Sequence, residues 1–301
     1  CASFLSTAFH FSNFFEQKRH LLTVYRYFCP VVWISKLFDN YVKYNIHVGL
    51  AVLALAQITA MDFNLYLPFS HQLILFVAPF LAYNFIKFHL FFIAGIGSKI
   101  KGGMIFFGLT IFIIVWFVGE GLQLPFSSLI ILLLTLLLVL LYCLPLPGFT
   151  LNFRGFKGLK IHLVALSWVL TTVFLPFSMG GQEINDLGLV YGFQRYLFVL
   201  VATLPFEIRD MKSDDSHLST WPQKWGIRNT KILGTILLSA FVGLELIYFP
   251  LLDLTTTLLV AGVLTIFLIK SKAEQSKYFS SFWVEAIPIL WLLLKVFNLV
   301  I

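Results

Sequence analysis

Long apolar stretches, separated by short polar connections, follow one another along most of this chain. Their approximate limits are 45–61, 71–95, 104–119, 128–146, 161–179, 188–206, 231–248, 254–270 and 282–301. Residues 129–146 carry no charge over a length that can cross a bilayer as a helix, which argues against one large soluble core. A membrane β-barrel would instead show short strands of alternating polarity. The pattern therefore predicts an all-α polytopic membrane protein with about nine transmembrane helices.

Composition supports a membrane protein and narrows its domain organisation. The chain is 59% hydrophobic and 12% charged, whereas soluble domains are about half apolar and a quarter charged. The net charge of +7 is explained by topology signals and anionic membrane lipids, so we expect no nucleic-acid partner. We expect one transmembrane domain over residues 44–301. It is preceded by an N-terminal segment, residues 1–43, that is poorly defined or contains an interfacial helix near 31–43.

Positive charges occur at every second connection between the apolar stretches. The basic connections carry Lys99 and Lys101; Arg154, Lys157 and Lys160; Arg209, Lys212, Lys224, Arg228 and Lys231; and Lys270, Lys272 and Lys277. The others carry only acids, namely Asp62, Glu120, Glu183, Asp186 and Asp253. Lys and Arg are retained in cytoplasmic loops of membrane proteins. The pattern therefore predicts that the N-terminus is cytoplasmic and the C-terminus lies outside.

A few charged residues fall inside the apolar stretches, where charges are costly and often functional. Glu245 and Lys295 are predicted near outer helix ends, where their side chains would extend to the interface. Glu285 is predicted near the inner end of the last helix, and Lys87 in the cytoplasmic half of the second. Arg195 lies deeper, either as a buried partner of a carbonyl or carboxylate, or with a role toward substrate.

The densest polar cluster follows the sixth stretch, in the segment 204–215. Asp210 and Asp214 are four residues apart, and Glu207 precedes Asp210 by three, so a helix would place these carboxylates on one face. Like charges in this arrangement repel one another unless a cation lies between them. Mg²⁺ favours such carboxylates together with waters and substrate phosphates. The alternative is a solvated end of a membrane helix.

Residues 207–226, EIRDMKSDDSHLSTWPQKWG, resemble the second aspartate-rich motif of the UbiA superfamily of intramembrane prenyltransferases. The matching positions are Arg209, Asp210, Asp214, Thr220 and Gly226. The basic segment with Arg154, Lys157 and Lys160 is similar to the family's segment between its fourth and fifth helices. The resemblance extends over roughly residues 45–301.

This resemblance implies a helical bundle around a central cavity that binds Mg²⁺ and a prenyl diphosphate. The prenyl group would then be transferred to an aromatic or other lipophilic acceptor. A single Mg²⁺ would be held by Asp210 and Asp214, with Lys87 as a further catalytic residue. The residues implied in substrate binding are Asn84, Arg154, Lys157, Lys160, Glu207 and Arg209.

The first aspartate-rich motif of the family is altered in the corresponding segment, residues 83–92. Asn84 is present, but the aspartate positions are Phe, and Lys87 introduces a cation. This YNFxK pattern resembles a divergent bacterial branch of the superfamily, which implies a multi-pass protein of the bacterial inner membrane. The alternative to an enzyme is a non-catalytic member that binds an isoprenoid, quinone or lipid, or acts as a membrane subunit. In that protein Lys87 would pair with Asp210 or Glu207 in place of a metal.

Overall fold

The computed structural model describes residues 30–93, 116, 118–121, 123–144, 158–215, 218–249 and 254–300. Contacts divide the chain into two units, Cys1–Tyr44 and Asn45–Ile301. The first unit contains helix α1, Pro30–Lys43, on which Ile34 and Leu37 are exposed. Exposed apolar side chains on such a helix are compatible with the predicted interfacial helix.

The second unit is built from helices joined by turns and loops, and its described part contains no strand. They are α2 (Ile46–Asp62), α3 (Phe69–Ile93), α4 (Phe126–Cys143), α5 (Lys160–Met179), α6 (Asp186–Asp210), α7 (Trp221–Tyr248), α8 (Leu254–Lys270) and α9 (Ile287–Val300). A π-helical turn, Phe279–Val284, precedes α9, and a second one, Leu170–Phe174, lies within α5. Each of these helices overlaps a predicted stretch. The predicted stretch 104–119 lies mostly outside the described residues.

The helices confirm an all-α membrane protein. Six helical spans are long and apolar enough to cross a bilayer, namely Phe69–Lys87, Phe126–Cys143, Lys160–Met179, Asp186–Asp210, Trp221–Tyr248 and Phe279–Asn298. The shorter α8 is also apolar. Nine spans and a cytoplasmic N-terminus remain predictions.

Helix α6 lies in the core and α4 lies at the periphery. Phe198 of α6 is fully buried, and its ring centroid is 5.2 Å from that of Trp291 in α9. Phe241 of α7 packs edge-on against the same Trp291 ring at 5.8 Å. In contrast, α4 exposes Leu133 and Leu137, as expected for a helix whose surroundings are lipid tails.

A glycine allows α7 to approach its neighbours closely. A Cβ atom at Gly234 would lie 2.6 Å from Leu268 Cδ2 of α8 and 2.7 Å from Leu204 Cδ1 of α6. Small residues at such crossings are typical of membrane helix packing. Any larger side chain at this position would therefore have to displace both leucines.

Contacts between helix ends show that α6 runs opposite to both α5 and α2. Lys160 at the start of α5 contacts Asp214 just beyond the end of α6. At the other end, Tyr191 near the start of α6 donates a hydrogen bond to Asp62 at the end of α2. We call the first of these the basic end and the second the acidic end.

The acidic end contains a buried polar network of six residues from four helices. They are Asp62, Tyr191, Gln194, Arg195, Glu245 and Lys295. Lys295 pairs with Asp62, and Tyr191 donates to the same carboxylate at 2.7 Å. Gln194 donates to Glu245 at 2.6 Å. These three polar contacts are buried within the membrane-spanning part of the bundle, where polar groups must find protein partners.

Arg195 completes this network. Its guanidinium donates to the Leu55 carbonyl at 3.1 Å and to the Tyr191 hydroxyl at 2.9 Å, and lies 5.2 Å from the Trp291 ring centroid. A buried partner of a backbone carbonyl, which was one of the two predictions for Arg195, is thus observed. The predicted extension of Glu245 and Lys295 to the interface is wrong, because they are only 4% and 9% exposed. Partners on neighbouring helices keep both side chains inside the bundle.

Candidate functional site

The carboxylate motif lies where α6 ends at the basic end. Helix α6 stops at Asp210, and the chain continues through a turn in which the Asp214 amide donates to the Asp210 carbonyl at 2.8 Å. This hydrogen bond has the helical i to i−4 pattern, so the turn continues the axis of α6 beyond Asp210. Asp214 is thereby placed near Glu207, which is 3% exposed and lies seven residues, about two helical turns, earlier.

Lys160 lies between two of the three carboxylates. Its Nζ atom is 2.9 Å from Glu207 Oε1 and 2.7 Å from Asp214 Oδ2. The three side chains are 14%, 4% and 11% exposed, respectively. Since Lys160 is the first residue of α5, its side chain joins the start of α5 to the end of α6. The cation that the like-charged carboxylates require is therefore a lysine of this chain.

Arg209 takes the third carboxylate. Its Nε and Nη2 atoms donate to the two oxygens of Asp210 at 2.7 and 3.0 Å, which is the paired geometry that favours arginine over lysine. Nη1 donates to the hydroxyls of Ser280 and Ser281 at 3.1 and 3.0 Å. Both serines belong to the π-helical turn before α9, so this turn fixes the orientation of the guanidinium.

Asn84 and Lys87 both lie on α3. Asn84 accepts a hydrogen bond from Asn45 at 3.2 Å and donates to the Phe80 carbonyl at 2.8 Å. Lys87 is exposed and interacts electrostatically with Glu285, which also interacts with Arg209. Arg209 and Lys160 hold the carboxylates of Asp210 and Glu207, with which Lys87 was expected to pair, and that pairing stays a prediction.

Two other predicted site residues, Arg154 and Lys157, lie outside the described residues. An exposed ion pair lies near the motif, with Lys212 Nζ 2.7 Å from Glu274 Oε1. The hydrogen bond from Lys212 lowers the pKa of Glu274. This pair is solvated, so it contributes little to stability.

The downstream part of the motif has a structural role. Thr220 caps α7, and its backbone amide donates to Gln223 Oε1 at 2.9 Å. Gln223 Nε2 in turn donates to the Asp214 carbonyl at 3.1 Å, which ties the start of α7 to the carboxylate turn. Gly226 has φ of 76°, a conformation that favours glycine, at a kink in α7. Gln223 was not predicted, and its position three residues after a Thr cap is the signal that identifies it.

An apolar cavity of about 630 Å³ lies between α3, α4 and α5. Its few polar groups include Tyr83, Tyr142 and Trp168, and Trp168 Nε1 donates to the Tyr83 hydroxyl at 2.8 Å. Tyr142 interacts electrostatically with Lys160, and Tyr83 with Glu285. The polar side of the cavity therefore adjoins the charged cluster. The volume is in the range of small-molecule sites in proteins.

The arrangement of the carboxylates does not fit the expected single Mg²⁺ site at Asp210 and Asp214. These two residues bind different cations, Arg209 and Lys160. Within the described residues, no three or more His, Cys, Asp or Glu side chains converge as a metal would require. Mg²⁺ needs carboxylate oxygens that are open to it, and here their partners are side chains of the chain.

Comparisons with known proteins identify the fold. No protein-family model and no curated protein matches the chain. A solved structure of a UbiA homolog from Archaeoglobus fulgidus is similar, with a TM-score of 0.52 and 11% identity over 86% of this chain and 97% of that one. The same homolog bound to Cd²⁺ matches with a TM-score of 0.52 and 12% identity, over 87% and 97% of the two chains. The expected architecture is thus confirmed, and this multi-pass membrane chain has the fold of the UbiA homolog.

Proposed function

We propose that this chain is a UbiA-like prenyltransferase of the bacterial inner membrane, which transfers a prenyl group from a prenyl diphosphate to a lipophilic acceptor. The observation that carries this proposal is the apolar cavity whose polar side adjoins the Lys160 cluster. A prenyl diphosphate has the same two parts, an apolar chain and a charged head. The UbiA fold supports the same class of activity.

In this proposal the isoprenoid chain lies in the cavity and the diphosphate lies toward Lys160 and Arg209. Arg154, Lys157, Lys87 and Asn84 remain predicted contacts of the diphosphate. The bond between the prenyl carbon and the diphosphate oxygen breaks, and the leaving diphosphate keeps the electron pair. The acceptor attacks the resulting allylic cation and then loses a proton.

The cavity would protect this cation. Tyr83 and Trp168 present aromatic rings, whose faces attract cations. The remaining lining is mostly aliphatic and excludes water, which would otherwise hydrolyse the intermediate. Lys160 would stabilise the charge that develops on the leaving diphosphate.

The experiment is a comparison of two neighbouring leucines of α4. Leu136 lines the cavity and Leu137 does not, although the two side chains are 50% and 49% exposed. The purified protein is melted with and without a non-hydrolysable thio analogue of geranylgeranyl diphosphate. We expect the analogue to stabilise wild type and Leu137→Trp, and to stabilise Leu136→Trp much less. Equal stabilisation of both variants would contradict the cavity as the binding site.

A non-catalytic isoprenoid-binding or quinone-binding protein is the second candidate. It is favoured by the carboxylates of the motif, which are already neutralised by Lys160 and Arg209. Release of diphosphate from geranylgeranyl diphosphate, measured with a lipid extract as acceptor source, separates the two functions. Binding of the analogue without diphosphate release would favour the second candidate.

A further inference from the structure

The position of Lys160 resembles that of a bridging metal ion. Its single nitrogen lies within 3 Å of carboxylate oxygens from both Glu207 and Asp214, at 2.9 and 2.7 Å. An exposed lysine would sample many positions, but this side chain is 14% exposed and ends between two nearly buried acids. Removal of the ammonium would leave two carboxylates facing each other, which is unfavourable without another cation.

We propose that Lys160 is the resident cation of this site, takes the place of a divalent metal between Glu207 and Asp214, and binds a phosphate oxygen of the ligand directly. An ammonium group has three N–H donors. Two of them are directed at Glu207 and Asp214, and among the described residues no acceptor is bound to the third, which we assign to a phosphate oxygen. The part of this inference that concerns phosphate rests on the proposed function, whereas the part that concerns the metal does not.

The remaining carboxylate supports the same conclusion. Asp210 is held by two donors of Arg209, and that guanidinium is fixed by Ser280 and Ser281. Asp210 therefore cannot turn toward Glu207 and Asp214 without the loss of a paired hydrogen bond. On α3, the segment 83–92 has no carboxylate to offer a second ligand set.

The metal part is tested by thermal melts of purified protein in detergent, first with EDTA and then with MgCl₂. We expect no effect of Mg²⁺ on wild type. Lys160→Ala should melt at a lower temperature in EDTA and should be stabilised by Mg²⁺, because the two carboxylates become available. At Mg²⁺ about 100-fold above its dissociation constant, the rise is roughly 5 °C for a chain of this size.

Two controls accompany this test. Lys212→Ala removes an exposed lysine at the same end and should respond to Mg²⁺ as wild type does. The double variant Lys160→Ala/Asp214→Asn removes one cation and one carboxylate together, so it should melt closer to wild type and gain nothing from Mg²⁺. Stabilisation of wild type by Mg²⁺, or its absence in a folded Lys160→Ala, would overturn the inference.

A second measurement remains if Lys160→Ala does not fold. Mn²⁺ binding to wild type and to Asp214→Asn is compared by electron paramagnetic resonance. We expect the same number of bound Mn²⁺ ions in both, because Asp214 already binds Lys160. A bound Mn²⁺ that is lost in Asp214→Asn would refute the inference.

The phosphate part is tested with the thio analogue of geranylgeranyl diphosphate in EDTA and in MgCl₂. We expect wild type to be stabilised equally in both buffers, and Lys160→Ala to require Mg²⁺ for any stabilisation. A strict requirement of wild type for Mg²⁺ would refute direct binding by Lys160. No binding under either condition would reject the proposed function, and the metal result would still stand.

Discussion

Lys295→Met tests the buried network at the acidic end. The substitution keeps an unbranched side chain of similar length and removes only the ammonium group. Lys295 and Asp62 form an ion pair in which their side chains are 11% and 4% exposed. Glu245 interacts electrostatically with both. The network has two acids, Asp62 and Glu245, and two bases, Arg195 and Lys295, so the variant leaves an uncompensated negative charge.

The expected cost follows from this charge balance. Removal of one partner of a buried ion pair destabilises a protein by about 3–5 kcal/mol. Here Asp62 keeps the Tyr191 hydroxyl at 2.7 Å, and Arg195 lies beside that hydroxyl at 2.9 Å. We therefore expect the lower end of the range, about 3 kcal/mol. For a chain of this size the melting temperature would fall by roughly 5 °C.

The assay is a thermal melt in detergent with two matched variants. Lys270→Met removes an exposed lysine of another membrane helix and should melt within about 2 °C of wild type, since surface charges contribute little. The double variant Asp62→Asn/Lys295→Met leaves Glu245 and Arg195 in balance, so it should be more stable than Lys295→Met alone. The reasoning about charge balance is wrong if Lys295→Met has the same melting temperature as Lys270→Met. It is also wrong if the double variant loses as much stability as Asp62→Asn and Lys295→Met lose together.

Two further predictions concern packing and topology. Gly234→Val should destabilise the protein by about 1–3 kcal/mol in the same melts, because the methyl groups of the valine must displace Leu204 and Leu268. An unchanged melting temperature would contradict this close approach. Single cysteines in a background without native cysteines should be labelled from the cytoplasmic side near Lys99, Arg154, Lys212 and Lys272, and from the outside near Glu120, Glu183 and Asp253. Labelling of both sets from one side would reject the nine-helix topology.

The helices were predictable from the sequence because a bilayer requires long apolar stretches. The predicted stretch 188–206 lies within α6, Asp186–Asp210, and 254–270 coincides with α8. The limits near the motif were less accurate. Helix α7 begins at Trp221, ten residues before the apolar stretch that predicted it, because a capped polar turn adds to its start.

The acidic residues of the candidate site were predictable from the sequence, but the cations that pair with them were not. The spacing of Glu207, Asp210 and Asp214 indicated one cluster that needs a cation. Which lysine supplies this cation depends on how α5 packs against α6. Hydrophobic periodicity contains no information on the packing of one helix against another. Lys160 was predicted as a substrate contact, and its contact with Glu207 arises from tertiary structure. Glu245 and Lys295 were placed too near the interface for the same reason, since their partners are on other helices.

The last helix and the turn before it extend from the basic end to the acidic end and contact the polar cluster at each. Its π-helical turn presents Ser280 and Ser281 to Arg209 at the basic end, and Lys295 reaches Asp62 at the acidic end. Deletion of one residue between them would rotate one end relative to the other by about 100° and shorten the helix by about 1.5 Å. Either the serines or the lysine would then face away from its partner. The spacing between Ser281 and Lys295 is therefore fixed by these two contacts, and a change of chain length within that interval would break one of them.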